Sequence, residues 1–132
     1  MASLLILEDD PQDMRAASEA AAQAGFSATQ VLTSPEQAAV LLGNQIEDGQ
    51  SFPDAMVIDL DLGQESGFEL LRFCHKNHLM ARIQVVVWTV LGDPQREICR
   101  LFGVQEFVSK HDGPEALLEV LMRLNQKDRA GG

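Results

Sequence analysis

Short apolar runs alternate with longer amphipathic stretches along the chain. The apolar runs cover residues 4–7, 27–32, 55–59, 83–89 and 104–109. Each precedes a stretch with helical spacing of apolar residues, at 11–24, 35–42, 67–77, 94–102 and 114–124. The first, third and fourth runs are continuously apolar, which is typical of strands in a parallel sheet covered on both faces. The pattern therefore predicts five strands, each followed by a helix.

Prolines and glycines mark the ends of the predicted helices. Proline lacks a backbone N–H, so it is tolerated in the first turn of a helix, after a capping residue. Four prolines stand at such positions: Asp10-Pro11, Ser34-Pro35, Asp93-Pro94 and Gly113-Pro114. Three glycines follow apolar-periodic stretches and are predicted to end helices: Gly25, Gly43 and Gly103. The polar stretch 44–52 is expected to be a surface loop.

The strict alternation of strands and helices determines the expected architecture. Right-handed crossovers between parallel strands place helices on both faces of a sheet. We therefore expect an α/β fold with a doubly wound, open parallel sheet. Ligands of such sheets bind beyond the carboxyl ends of the strands, so the residues that follow each strand are the first candidates for function.

Composition and charge narrow the classes of protein. The chain has 132 residues, of which 45% are hydrophobic, enough for one core; residues 1–124 are expected to form one domain and 125–132 a short polar tail. The formal net charge of -10 disfavours direct binding to nucleic acid or to anionic membranes. The chain shows neither a signal peptide nor a membrane-spanning run, so a cytoplasmic location is expected. Cys74 and Cys99 are expected to be buried apolar residues.

Acidic residues follow two of the predicted strands. Glu8, Asp9 and Asp10 follow the first strand, and Asp59 ends the third, with Asp61 two residues later. Asp10 is expected to cap the next helix. The remaining acids would repel one another if left bare, and carboxylate oxygens completed by water are the ligands that Mg²⁺ prefers. The sequence therefore predicts a magnesium site.

A hydroxyl and an ammonium group follow two further strands. Thr89 ends the fourth predicted strand and Lys110 follows the fifth. Each of these residues alone is typical of an ordinary surface residue. They become candidates for function because they follow strands of the same sheet as the acidic residues. His75 and His78 are expected to be surface residues, and Trp88 is expected to pack under a helix.

Four segments of the chain resemble segments of one known protein family, and they occur in that family's order and approximate spacing. They are 4–11 (LLILEDDP), 53–60 (PDAMVIDL) with Gly67 eight residues after Asp59, 85–89 (VVVWT) and 107–110 (FVSK). The chain resembles the CheY-like receiver domain of bacterial two-component response regulators over nearly its whole length. The resemblance implies a flavodoxin-like fold with five parallel strands in the order 2-1-3-4-5.

The resemblance also implies roles for the strand-end residues. Asp59 would be the phosphate acceptor, and Glu8 and Asp9 would bind Mg²⁺ together with Asp59 and the backbone carbonyl of Asp61. Lys110 would contact the phosphoryl group. The switch residues would be Thr89 and Phe107.

Partners and activity follow from the same resemblance. The donor would be the phosphohistidine of a sensor histidine kinase or a phosphotransfer protein. The chemistry would be self-catalysed phosphoryl transfer and autodephosphorylation rather than that of a conventional enzyme. A downstream protein would recognise the phosphorylation state of the domain through the face formed by the fourth helix, fifth strand and fifth helix. A phosphorylation-dependent homodimer is also compatible with the resemblance.

Four positions depart from the family pattern. Phe107 replaces a tyrosine, Val90 a small residue, and both His111 and Gly63 a proline. None of the four changes removes a chemical group from the predicted site. They predict weaker coupling at Phe107 and an altered phosphoryl lifetime at Val90, and they disfavour a cis peptide bond before His111.

Two alternative functions stay open at this point. The first is a receiver-like binding module that acts without phosphorylation, which Val90 and His111 suggest. The second is a haloacid-dehalogenase-like phosphatase, because Asp59 and Asp61 have the spacing of that family's nucleophile and second aspartate. Its metal-binding acids come after its lysine, whereas Glu8 and Asp9 come first in this chain. This order disfavours the phosphatase.

Overall fold

The computed structural model describes the backbone of residues 2–131 and the side chains of residues 2–126. The strands of the central sheet are β1 Ser3–Leu7, β2 Ala28–Leu32, β3 Ala55–Ile58, β4 Gln84–Thr89 and β5 Glu106–Ser109. The helices are α1 Pro11–Gln23, α2 Pro35–Asp48, α3 Phe68–Lys76, α4 Asp93–Leu101 and α5 Pro114–Gly131. A small hairpin pairs Asp61–Leu62 with Glu65–Ser66, and Lys110–Asp112 forms a 3₁₀ turn.

The five long strands form one parallel sheet in the order β2-β1-β3-β4-β5. This order and the doubly wound α/β class confirm the predicted fold. The register pairs Leu7 of β1 with Leu32 of β2 and with Ile58 of β3. At the other edge Thr89 pairs with Ser109. Because the paired residues are the last of their strands, the residues that follow them meet along one edge of the sheet.

Side chains of β1 alternate between two cores, one on each face of the sheet. Leu5 and Leu7 face the core under α2, α3 and α4, whereas Leu4 and Ile6 face the core under α1 and α5. All four are buried. A continuously apolar strand is stable only when both faces are covered, which explains why the run at 4–7 contains no polar residue.

The alanines of α1 let this helix lie close to the sheet and to α5. Ala17, Ala20 and Ala21 are buried in the core shared with α5. The Asn125 side chain donates a hydrogen bond of 2.7 Å to the carbonyl of Ala24, the residue that ends α1. Asn125 is buried, so this bond satisfies its polar side chain inside the helix interface.

Two predicted helix starts are confirmed by side-chain caps. The Asp10 carboxylate accepts from the Asp13 N–H at 3.0 Å, and the Ser34 hydroxyl accepts from the Gln37 N–H at 3.2 Å. Both helices then begin with proline. At the start of α3 the Ser66 hydroxyl accepts from the Phe68 N–H at 3.2 Å, but the N-cap residue is Gly67 and no side chain caps this helix.

The predicted end of α2 at Gly43 is wrong. The helix continues through most of the stretch expected to be a loop, to Asp48, and is capped by Gly49, which has a left-handed φ of 65°. A glycine inside a helix costs only about 1 kcal/mol of stability relative to alanine. The residues after Gly43 are compatible with a further, solvent-exposed turn of the helix. At Gly25 and Gly103 the prediction holds, because both follow helices with a positive φ.

Helix α5 is longer than predicted. Its backbone continues to Gly131, so it includes most of the segment expected to be a tail, whereas Gly132 lies outside the described residues. Among the described helices none is long and apolar enough to cross a membrane. The thiols of Cys74 and Cys99 are free and buried, as predicted.

Candidate functional site

The edge formed by the carboxyl ends of the strands brings Glu8, Asp59 and Lys110 together. The Lys110 Nζ donates to Glu8 Oε2 at 2.8 Å and to Asp59 Oδ2 at 2.9 Å. Lys110 follows β5, two strands away from β3, so its side chain must pass over the end of β4. It does so above the Trp88 ring, with Nζ 5.0 Å from the ring centroid. A lysine side chain suits this path, because its apolar methylene groups can pack on the ring while its ammonium group reaches the carboxylates.

A third carboxylate, that of Asp13, also binds Lys110. Its Oδ2 accepts from Lys110 Nζ at 2.6 Å. Asp13 lies in the first turn of α1, and reasoning from strand ends alone missed it. The available signal was the Asp10-Pro11 cap, because a helix separated from β1 by only three residues places its first turn beside the same edge of the sheet.

The cluster formed by Lys110 and its three carboxylate partners holds more negative than positive charge in a largely buried place. The side chains of Glu8 and Asp59 are 2% and 5% exposed, and that of Asp13 is 34% exposed. Three ionised carboxylates around one ammonium group leave an excess of two negative charges. Charge buried without a counter-charge is costly, so the cluster favours a further cation or a proton.

The pKa values of Glu8 and Lys110 reflect this balance. Burial raises the pKa of Glu8 from 4.5 to about 7, and the charge of Asp59 adds to the effect, while Lys110 partly offsets it. Burial by itself would lower the pKa of Lys110, but its hydrogen bonds to the three carboxylates outweigh burial and raise the pKa. Lys110 is therefore a permanent cation at neutral pH.

Local backbone hydrogen bonds fix the Glu8 side chain. Its second oxygen, Oε1, accepts from the N–H groups of Asp9 and Asp10 at 3.1 and 3.2 Å. The Asp9 side chain is exposed. Its Oδ2 lies 3.8 Å from the position that a Cβ atom would take on Gly63, in the loop after Asp59. Asp9 therefore borders the acceptor loop without joining the Lys110 cluster.

The Asp59 carboxylate is oriented from both sides. Its Oδ1 accepts from the Asp61 N–H at 3.1 Å, and its Oδ2 binds Lys110. The Asp59 N–H donates to the Leu7 carbonyl at 3.0 Å, which ties the residue to β1. The Asp61 side chain is exposed, so Asp61 contributes backbone groups to the site rather than its carboxylate.

Thr89 and Phe107 lie on the β4–β5 side of this edge. Thr89 is fully buried, and its Oγ1 accepts from the Leu91 N–H at 3.3 Å. Phe107 is half-buried, with the Arg96 guanidinium carbon 5.0 Å from its ring centroid. Val90, next to Thr89, is 45% exposed. Thr89 therefore ends β4, which pairs with the strand that Asp59 follows, and Phe107 lies in β5 against Arg96 of α4.

Two departures from the family pattern have structural explanations. Gly63 has a φ of 72° in the turn of the hairpin after Asp59, a value that the proline ring excludes. His111 lies in the 3₁₀ turn, where its N–H donates to the Ser109 hydroxyl at 3.1 Å. No peptide bond in the described part of the chain is cis.

The donors at this edge suit a hard divalent cation. Among the described residues no group of three or more His, Cys, Asp or Glu side chains is arranged to hold a metal ion. Lys110 holds one oxygen each of Glu8 and Asp59. Mg²⁺ does not require such a group, since it is commonly bound by one or two carboxylates and keeps several waters. The uncompensated negative charge and the exposed Asp9 carboxylate fit this mode of binding.

Gly67 permits the close contact that positions Asp59. A Cβ atom on Gly67 would collide with the Asp59 carbonyl oxygen and lie 2.9 Å from its carbonyl carbon. Gly67→Ala is therefore expected to lower the free energy of unfolding by about 2 kcal/mol through overpacking against backbone. Urea denaturation measures this loss. Gly92→Ala is the matched control, because a Cβ there meets open space; equal losses in both variants would contradict the explanation.

Comparisons with known proteins identify the family of the chain. The family model described as the response regulator receiver domain matches residues 4–122. A comparison with curated proteins found no match.

Solved structures with the same fold include three receivers or response regulators. The receiver domain of the Francisella response regulator 1452 is 19% identical, with a TM-score of 0.77 over 97% of this chain and 99% of that one. The Mn²⁺-bound response regulator Rcp1 is 23% identical, with a TM-score of 0.74 over 94% and 91%. The BeF₃-activated receiver domain of DrrB from Thermotoga maritima is 21% identical, with a TM-score of 0.72 over 96% and 98%. From the family match, the chain belongs to the response regulator receiver domain family.

Proposed function

We propose that this chain is a phosphoacceptor receiver of a two-component phosphorelay and that Asp59 accepts the phosphoryl group. The observation that carries the proposal is the environment of the Asp59 carboxylate. One oxygen is held by the Asp61 N–H and the other faces the Lys110 ammonium. A carboxylate fixed in this way next to a permanent cation has the geometry of a nucleophile aligned for phosphoryl transfer.

The proposed donor is the phosphohistidine of a sensor histidine kinase or a phosphotransfer protein. A carboxylate oxygen of Asp59 attacks phosphorus and forms an O–P bond, while the N–P bond breaks and the imidazole leaves with the electron pair. Lys110 balances negative charge on the phosphoryl oxygens. Water later attacks the acyl phosphate, which releases inorganic phosphate and restores the Asp59 carboxylate.

Glu8, Asp9, Asp59 and the Asp61 backbone carbonyl are the proposed ligands of Mg²⁺. When bound, the ion supplies positive charge that reduces carboxylate repulsion and stabilises the transferring group. The residues themselves do the positioning: the Glu8 carboxylate is fixed by two backbone N–H groups, and Asp9 borders the loop that carries Asp61.

The raised pKa of Glu8 predicts that Mg²⁺ binding depends on pH. A proton on Glu8 competes with the cation, and this carboxyl group is ionised only above its pKa of about 7. The affinity for Mg²⁺ should therefore fall about tenfold between pH 8 and pH 6. Titration with Mg²⁺, followed by Trp88 fluorescence, measures this change. In Glu8→Gln the affinity should no longer depend on pH in this range; an unchanged slope in that variant would point to another group.

The proposed output acts through Thr89 and Phe107. The Thr89 hydroxyl accepts from Leu91 N–H, so its own proton is available for a phosphoryl oxygen. Movement of Thr89 would shift the loop that leads to α4, where Leu101 is 82% exposed. We propose that a downstream protein, or a second phosphorylated copy, reads this change on the face of α4, β5 and α5, and that signalling takes place in the cytoplasm.

Phosphorylation by a small donor tests the proposal. The protein is incubated with acetyl phosphate and Mg²⁺, its intact mass is measured, and the modified residue is located after proteolysis. The expected result is a gain of one phosphoryl group on Asp59. No gain would favour the binding module that acts without phosphorylation, and a modification at another residue would refute the assignment of Asp59. The match to the receiver family over residues 4–122 disfavours the haloacid-dehalogenase-like phosphatase.

A further inference from the structure

The Lys110 ammonium uses all three of its N–H donors on carboxylates. Its partners are Glu8, Asp13 and Asp59, at 2.8, 2.6 and 2.9 Å. An ammonium group has three donors and no acceptor. A phosphoryl group on Asp59 can take over the N–H that Lys110 now donates to the Asp59 carboxylate, but it can receive a second N–H from Lys110 only when the bond to Glu8 or to Asp13 is broken.

The three partners differ in how easily they release Lys110. The Glu8 side chain is almost fully buried and its other oxygen is held by two backbone N–H groups, so it cannot turn toward water when Lys110 leaves. The N–H that Lys110 donates to Asp59 passes to the phosphoryl group, so only Glu8 and Asp13 are left to compare. Asp13 is 34% exposed on the first turn of α1, where water can replace the ammonium. Its bond is the least costly to break, because an exposed carboxylate is resolvated when its partner leaves.

We propose that Asp13 is a positioning residue that holds Lys110 in the unphosphorylated protein and releases it when an anion binds at Asp59. This inference rests on the proposed function of Asp59. The Asp13–Lys110 bond stabilises only the unphosphorylated state, so it opposes phosphorylation. A chain without the Asp13 charge binds the phosphoryl group, or an analogue of it, more tightly.

Beryllofluoride, an analogue of the phosphoryl group, provides the test. Its affinity is measured at saturating Mg²⁺ by the fluorescence of Trp88, the only tryptophan, which lies beside Lys110. Asp13→Asn and Asp13→Ala should each bind beryllofluoride about fivefold more tightly than the wild-type protein. Glu19→Gln is the matched control, because it removes one negative charge from an exposed position on the same helix.

Ionic strength separates a direct contact from a general effect of charge. Removing any nearby negative charge attracts an anion at low salt, but this long-range effect is screened at high salt. If Asp13 acts through Lys110, the gain persists in about 0.5 M salt and Glu19→Gln shows none. A gain that disappears at high salt, or no gain at all, overturns the inference and leaves the proposed function intact. If the wild-type protein itself does not bind beryllofluoride, both are overturned.

Discussion

Asp59→Asn is expected to abolish the uptake of a phosphoryl group from acetyl phosphate. The amide is nearly isosteric with the carboxylate, so it can still accept from the Asp61 N–H, the bond that orients this side chain. The neutral amide is not a nucleophile toward phosphorus, because it lacks the negatively charged oxygen that forms the acyl phosphate. Intact-mass spectrometry should therefore show the unmodified mass at every time of incubation.

Asp61→Asn provides the matched control for this loss. The Asp61 side chain is exposed, and only its backbone groups contribute to the site. The same chemical change two residues away should leave phosphoryl uptake close to that of the wild-type protein. Persistent phosphorylation of Asp59→Asn would place the acceptor elsewhere, whereas loss in both variants would indicate that the loop, rather than the Asp59 carboxylate, is what the reaction requires.

Lys110→Met is expected to lower the free energy of unfolding by about 3 kcal/mol in the absence of Mg²⁺. Methionine replaces the apolar stem over Trp88 but leaves Glu8, Asp13 and Asp59 without their common cation. Breaking a buried ion pair by removing one partner is costly because the other charge stays buried. Millimolar Mg²⁺ should restore part of the loss, since a cation that binds the folded state stabilises it by mass action.

Urea denaturation with and without Mg²⁺ measures both parts of this prediction. Lys76→Met is the control, because Lys76 is exposed at the end of α3 and its replacement should change stability by less than about 0.5 kcal/mol. A loss for Lys110→Met no larger than that of the control would show that the three contacts contribute little to stability. A loss that Mg²⁺ does not reduce would count against a cation site beside Glu8 and Asp59.

The strands and the order of the fold could be predicted because the responsible signals are local or general. The continuous apolar character of residues 4–7 indicates a strand buried on both faces, and Leu4 to Leu7 do alternate between two cores. The caps at Asp10 and Ser34 depend on hydrogen bonds within three residues. Such features require no knowledge of the rest of the chain.

The ends of α2 and α5 and the hairpin after Asp59 were not predicted. Glycine is common at helix ends, which favoured an end at Gly43, but a single glycine does not outweigh the helical turns on both sides of it. The hairpin pairs Asp61–Leu62 with Glu65–Ser66, and two-residue strands are too short to show periodicity. In these segments local preference is weak, and the surrounding structure decides.

The candidate site could likewise be predicted from the sequence only in part. Parallel strands end at one edge, so Glu8, Asp59 and Lys110 could be expected as neighbours before any coordinates were known. The participation of Asp13 and the contact of Gly67 with the Asp59 carbonyl could not, because they depend on where α1 and α3 pack.

The α/β class and the polar residues at the strand ends follow from the amino-acid pattern, and the order of the five strands follows from the family resemblance. That one ammonium group binds three carboxylates, and that these carboxylates differ in burial, is visible only in the folded chain. The reason is physical: strand-end positions follow from the repeat of the fold, whereas the distances and the exposure of side chains from segments about 100 residues apart are set by helix packing.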